Sequence, residues 1–176
     1  MADLRTARHA DIPALQGLIG LSGRGLSVGY YSPAQAEAIT RHVFGVDTQL
    51  IEDGTYFVLE QDQTLVACGG WSRRRTLFGG DQAKHGPDPL LDPATEAARI
   101  RAFFVHPSMA RRGLGRQLMD ACVAAARAEG FRALTLVSTL PGEPLYLASG
   151  FACVERFELD LPGGIRVPVS RMLRNL

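Results

Sequence analysis

The chain almost lacks lysine: of its 19 basic residues, every one but Lys84 is arginine. Arginine makes the better phosphate fork, but a bias of this kind carries little functional weight alone. Net charge is also nearly absent, +1 at pH 7, so bulk electrostatics offer no support for nucleic-acid binding. Cysteine is sparse and odd in number: Cys68, Cys122 and Cys153 have neither disulfide-framework nor metal-site spacing. Each sits in an apolar run and reads as a buried thiol in a reducing compartment. No apolar run approaches a membrane span, and Met1–Arg8 has no signal-peptide pattern. We therefore expect a cytoplasmic protein with no membrane partner and no bound metal. Repeats and low-complexity tracts are missing too.

What is present is globular: 176 residues, 46% hydrophobic and 21% charged, enough for one domain spanning residues 1–176. Leu4–Arg8 reads as a short strand and Asp11 as the cap of a helix through Leu15, Leu18 and Ile19. Gly17 and Gly20 weaken that helix, and Gly20–Gly29 reads as mobile or turn-rich. Ser32-Pro33 starts a second helix with Ala36, Ile39, Val43 and Phe44 on its apolar face.

Thr55–Glu60 and Leu65–Trp71 form a hairpin pattern, and Arg73–Pro93 reads as a polar excursion, either an active-site wall or a tolerated insertion. Arg99–Val105 is a strand, Gly113–Glu129 a helix and Ala133–Ser138 the next strand. A right-handed crossover of this kind favours parallel pairing of the two strands. A short helix at Leu145–Ser149 and strands at Ala152–Leu159 and Ile165–Leu173 finish the chain. The fold class is therefore mixed α/β: a central mixed β-sheet with helices on both faces, not a doubly wound dinucleotide fold.

The most specific chemical offer is Val105-His-Pro-Ser-Met-Ala-Arg-Arg-Gly-Leu-Gly-Arg116, a strand end, a turn with two glycines and the first turn of a helix. Unpaired N–H groups at a positive dipole end suit a phosphate-bearing ligand, and Gly113 and Gly115 allow close approach. Arg111, Arg112 and Arg116 add charge-assisted contacts, or simply face solvent. The Walker lysine pattern and the third glycine of the dinucleotide fingerprint are both absent.

With Val105-His-Pro107 before it, the turn Ala110-Arg-Arg-Gly-Leu-Gly115 resembles the Gln/Arg-x-x-Gly-x-Gly/Ala pattern of the GCN5-related N-acetyltransferase superfamily. The resemblance covers Ile100–Phe151 and departs from the pattern at Ala110, where Gln or Arg is usual. It implies acetyl transfer from acetyl-CoA to a primary amine of a small molecule or a protein. It further implies that main-chain N–H groups from Arg111, Arg112, Gly113, Leu114, Gly115 and Arg116 hold the coenzyme's pyrophosphate. A main-chain cradle survives the change at Ala110, because its donors do not depend on side-chain identity. Phe103, Phe104 and Val105 would offer main-chain groups to the pantetheine amides where their strand splays from the next. Without the resemblance they are a buried strand, and both readings hold together.

Leu145-Tyr146-Leu-Ala-Ser-Gly-Phe151 completes the resemblance, which makes Tyr146 the general acid that protonates the departing thiolate. Read on its own, Tyr146 is a tyrosine that packs its ring and bonds its hydroxyl. Glu96 is the leading candidate base, against a plain solvent-facing loop acid. His106 fits turn geometry beside Pro107 better than proton transfer. Ser138 and Thr139 bind substrate or cap a turn.

The acceptor side is less diagnostic. Trp71, Phe78, Tyr30 and Tyr31 shape an apolar pocket or belong to the core, and Arg73-Arg74-Arg75 either attracts an acidic acceptor or is a solvated face. The rival reading is a non-catalytic acyl-CoA-binding regulatory module. A homodimer is possible if Ile165–Leu173 lies at an open sheet edge.

Overall fold

Two residues with positive φ, Asp62 (50°) and Gln63 (61°), close the turn between β2 (Tyr56–Gln61) and β3 (Thr64–Ser72). Positive φ at both central positions matches the twist of paired strands, and the hairpin is antiparallel. The structure, a computed structural model, describes residues 1–176. β1 (Asp3–Thr6), β4 (Ala98–Val105), β5 (Ala133–Thr139), β6 (Ala152–Leu161) and β7 (Ile165–Asn175) join the hairpin in one seven-stranded sheet. Its order is β1-β2-β3-β4-β5-β7-β6. Every neighbouring pair is antiparallel except β4 and β5, which the crossover helix α4 (Leu114–Ala128) makes parallel. The expected mixed sheet is the one observed.

Alternation along the hairpin divides the core. Val58 and Cys68 face α1 (Ile12–Gly25), where they meet Leu15, Leu18 and Ile19. Leu59 and Ala67 face the opposite way, against Leu114 and Leu118 of α4. Further along α4, Met119, Cys122 and Ala126 pack with Leu134 and Leu136 of β5, and with Tyr146 from α5 (Glu143–Ala148). On the α1 side, α2 (Pro33–His42) lays Ala36 and Ile39 on Val167 and Val169 of β7. Its start is fixed by a reciprocal cap between Ser32 and Gln35, with Pro33 at the first helical position. Helices therefore cover both faces.

Several expectations need correcting. α1 runs through Gly17, Gly20 and Gly23 to Gly25, so the turn-rich stretch expected over Gly20–Gly29 is confined to its second half. A Cβ on Gly23 would lie 2.7 Å from Thr40 Oγ1 and 2.8 Å from the Phe44 ring, so the missing side chain lets the α2 region close on α1. Tertiary packing outweighs low helix propensity there. A short helix, α3 (Thr48–Glu52), capped by Asp47, falls where none was expected. β7 is paired on both sides, so the condition for dimerisation through Ile165–Leu173 is not met; the edges are β1 and β6. Cys153 lies exposed on β6, whereas Cys68 and Cys122 are buried. Burial pushes both buried thiols up, Cys68 to about 12, so neither is a ready nucleophile.

The excursion after β3 is tied down by buried charge. Arg101 of β4 donates to the carbonyls of Thr76 and Gly79, and its guanidinium lies 2.8 Å from Asp47 Oδ2. Lys84 also pairs with Asp47. Asp47 and Arg101 are almost fully buried, so each charge depends on the other for compensation. This cluster fixes residues 76–80 against the sheet.

Candidate functional site

β4 and β5 pair only at Ala98↔Leu134 and Arg99↔Thr135; beyond that the two strands part. From Ile100 onward β4 lines a cleft of about 570 Å³. The strand bends at the opening. Its register with β3 shifts between Cys68 and Gly70, and Ala102 takes a left-handed φ of 55°. An extra residue of this kind re-aims the chain and leaves ladder groups unpaired. Gly69 accommodates the bulge: a Cβ there would sit 2.7 Å from the Phe103 ring.

The bulge sends successive side chains apart. The Phe103 ring meets Tyr146 edge-on at 6.2 Å, whereas Phe104 meets Phe44 at 5.0 Å. Both phenylalanines, with Val105, line the cleft. The N–H of Val105 is already committed, donating to Ser22 Oγ of α1 at 3.2 Å. α1 has thus taken one of the main-chain groups that Phe103, Phe104 and Val105 were expected to offer.

At one end of the cleft the turn has the expected form. Arg111 (φ 65°) and Gly113 (φ 83°) reverse the chain, and no side chain caps α4. The N–H groups of Arg111 through Arg116 have no partner within the chain; the first bonded one is Gln117, to Gly113. Six consecutive donors at a helix N-terminus form an anion cradle. A Cβ on Gly113 would meet nothing, whereas one on Gly115 would lie 2.8 Å from Leu145, so Gly115 keeps α4 close to α5. Leu114 and Gly115 are buried and contribute main chain, while the side chains of Arg111 and Arg116 are exposed at the cleft wall. Arg112 is exposed but does not line the cleft.

Tyr146 stands between the cradle and the bulge, 9% exposed, with its ring against Phe103 and Phe151. Burial raises its phenol well above the usual value of 10, with no hydrogen bond to lower it. Such a group stays protonated at neutral pH, so its O–H is available to donate into the cleft.

Glu96 is corrected. It precedes β4 on the side away from the bulge, accepts the Asp92 N–H at 2.8 Å and lies 3.8 Å from Arg75. It closes a turn and has no place in the cleft wall. His106 caps a single 3-10 turn through its Nδ1, as turn geometry requires. Ser138 is buried and donates to the Thr139 carbonyl, while Thr139 itself reaches the cleft.

The far end of the cleft is apolar. Of the four aromatics expected there, Tyr30 and Phe78 line it. Trp71 is core, edge-on to Phe131. Tyr31 is buried, its hydroxyl donating to the Pro168 carbonyl and accepting the Leu140 N–H, and burial raises it to about 12. Arg73, Arg74 and Arg75 pair with Glu129, Asp53 and Glu96 respectively, so no free basic patch remains. Leu26, Ile39, Leu159 and Val169 complete the wall together with Leu77–Gly80. Sequence reasoning missed Ile39, Leu159 and Val169 as wall residues, and no local pattern marks them.

The model of the acetyltransferase (GNAT) family matches residues 28–151. No curated protein matches the chain. Among solved structures, the chain is similar to a GCN5-related N-acetyltransferase from Rhodopseudomonas palustris (18% identity, TM-score 0.73), over 100% of this chain and 96% of that one. It is similar to the PaiA N-acetyltransferase of Thermoplasma acidophilum in complex with coenzyme A (13%, TM-score 0.67), over 100% and 99%. The ribosomal-protein-alanine N-acetyltransferase of Brucella melitensis (14%, TM-score 0.65) aligns over 99% of each chain. At these identities the likeness concerns the fold. The family match takes in β2 to α5, with the bulge, the cradle and Tyr146, and by it this chain belongs to the acetyltransferase (GNAT) family.

Proposed function

We propose that this protein transfers the acetyl group of acetyl-CoA directly to a primary amine bound in the same cleft. One observation carries the reading. Unpaired main-chain N–H groups of Arg111 and Gly113 through Arg116, the parting of β4 from β5 and the Tyr146 phenol all meet around a single cavity. The cradle fits a pyrophosphate, because its donors are consecutive, uncapped and open above Gly113. The T. acidophilum relative was solved with coenzyme A, which agrees with that fit.

In this reading Arg111 to Arg116 hold the pyrophosphate through main chain, with exposed arginine side chains adding charge. The bulged segment at Phe103 and Phe104 borders the pantetheine, and a main-chain N–H left out of the ladder by the bulge stabilises the oxyanion that develops on the thioester carbonyl. Acetyl-CoA supplies the activated acyl carbon. The amine nitrogen bonds to that carbon as the carbon–sulfur bond breaks. Tyr146 gives its phenolic proton to the sulfur and recovers one from the newly acylated nitrogen, directly or through water. No Asp, Glu or His lines the cleft, so the amine must already be neutral when it attacks. Holding amine and thioester together supplies much of the remaining acceleration. The two buried, unreactive thiols are consistent with direct transfer and with a reducing cytoplasm.

The test is release of free thiol from acetyl-CoA across a panel of amines, with the N-acetyl product identified by mass. Tyr146→Phe should keep coenzyme binding and lose turnover. Unchanged turnover would overturn the acid assignment. Tight coenzyme binding without turnover for any amine would favour a non-catalytic acyl-CoA-binding module.

A further inference from the structure

Resting on the acetyl-transfer reading, we infer that the acceptor is a weakly basic amine on an apolar body of aromatic size, uncharged when it binds. The acceptor end of the cleft is walled by Leu26, Ile39, Phe44, Phe78, Leu159 and Val169, with no carboxylate or imidazole among the lining residues. Of the charged side chains that line the cleft, Arg111 and Arg116 belong to the cradle end. Arg101 on the cleft floor is held by Asp47 and by the carbonyls of Thr76 and Gly79. Arg73, Arg74 and Arg75 are each paired with their own acid outside the cleft.

An ammonium group entering this wall would lose its water and find no anion in return, which is a large penalty. It would also find no base to remove its proton. An alkylamine with a pKa near that of lysine, ~10.4, is neutral in roughly one molecule in 2,500 at pH 7. An aromatic amine is neutral there, because its lone pair is shared with the ring, and it meets neither obstacle. Acidic acceptors are disfavoured by the same wall, which has no uncommitted cation to receive a carboxylate. The edge-on pair of Phe44 and Phe104 and the ring of Phe78 give the wall a shape suited to a flat apolar body.

Two isomers separate basicity from size: 4-ethylaniline and 2-phenylethylamine have the same atoms, and only the first is neutral at pH 7. We expect kcat/KM for 4-ethylaniline to exceed that of its isomer at least tenfold at pH 7. The isomer should then gain about tenfold per pH unit up to pH 9, while 4-ethylaniline stays flat. Spermidine and glutamate should fall below a hundredth of the best rate. Placing a carboxylate in the wall with Leu159→Glu should raise 2-phenylethylamine at least tenfold at pH 7 and lower 4-ethylaniline. Spermidine or glutamate matching 4-ethylaniline would overturn the inference, as would a Leu159→Glu variant that leaves the ratio unchanged. Calorimetry with coenzyme A and with each isomer keeps the two readings apart. Absence of coenzyme binding sinks the acetyl-transfer reading, while the order of isomer affinities still decides the acceptor class. Coenzyme binding with no preference between the isomers sinks the acceptor class alone.

Discussion

The two ends of the cleft are built in opposite ways. The donor end is nearly one continuous piece of chain, from the bulge at Ala102 to Arg116, and most of what it offers is main chain. The acceptor end is gathered from α1, α2, residues 77–80, β6 and β7, and what it offers is side chains. A main-chain site depends on φ and ψ, which a few glycines and a helix start encode locally. It therefore absorbs Ala110 where Gln or Arg is usual. A side-chain site assembled from distant segments has no local rule, and each wall residue is free to change with the acceptor.

Four substitutions test that contrast, the largest expected effect first. Asp47→Ala leaves the buried Arg101 and the half-buried Lys84 without their shared carboxylate, which should cost about 3–5 kcal/mol in urea unfolding. Because Arg101 holds Thr76 and Gly79, it should also raise the acceptor KM more than that for acetyl-CoA. Tyr146→Phe sits where the ends meet and should lower kcat about 10²-fold with coenzyme affinity unchanged in calorimetry. In the parent, burial keeps this phenol protonated, so kcat with a neutral amine should stay flat from pH 7 to about 9 rather than fall.

Gly113→Val forces a β-branched residue to φ 83°, at a strain of about 1–3 kcal/mol. Coenzyme affinity should drop roughly 10- to 100-fold while affinity for an aromatic amine holds. Equal losses for both ligands would mean the two ends are not separable. Arg116→Ala removes one exposed charge beside the cradle and should weaken coenzyme binding only a few-fold, with the difference shrinking in high salt.

The same contrast explains what was legible beforehand. The hairpin, the parallel crossover, the cradle and Tyr146 all carry short-range signals: alternation, turn residues, a glycine pair, an aromatic four residues before Gly150. α1 was misjudged because the value of Gly23 lies in Thr40 and Phe44, which approach it only in the folded state. Cys153 looked like core because it follows Phe151-Ala152, yet β6 is an edge strand and the residue faces solvent. Glu96 stood near the right strand in sequence, but a strand has two ends and the cleft opens at the other. The claim on Val105 N–H by Ser22 could not be read at all, since it joins residues 83 positions apart.

The pairing of Lys84 with Asp47 has a consequence for a protein that handles acyl thioesters. It is the chain's one lysine, and its half-buried amine is paired with a carboxylate rather than freely presented to solvent. Every other basic side chain of this length is a guanidinium, which stays charged and does not compete for acyl groups. The surface is thus poor in the nucleophile that its own reaction consumes. An acyl donor waiting in the cleft meets an incoming acceptor, and not a neighbouring molecule's lysine.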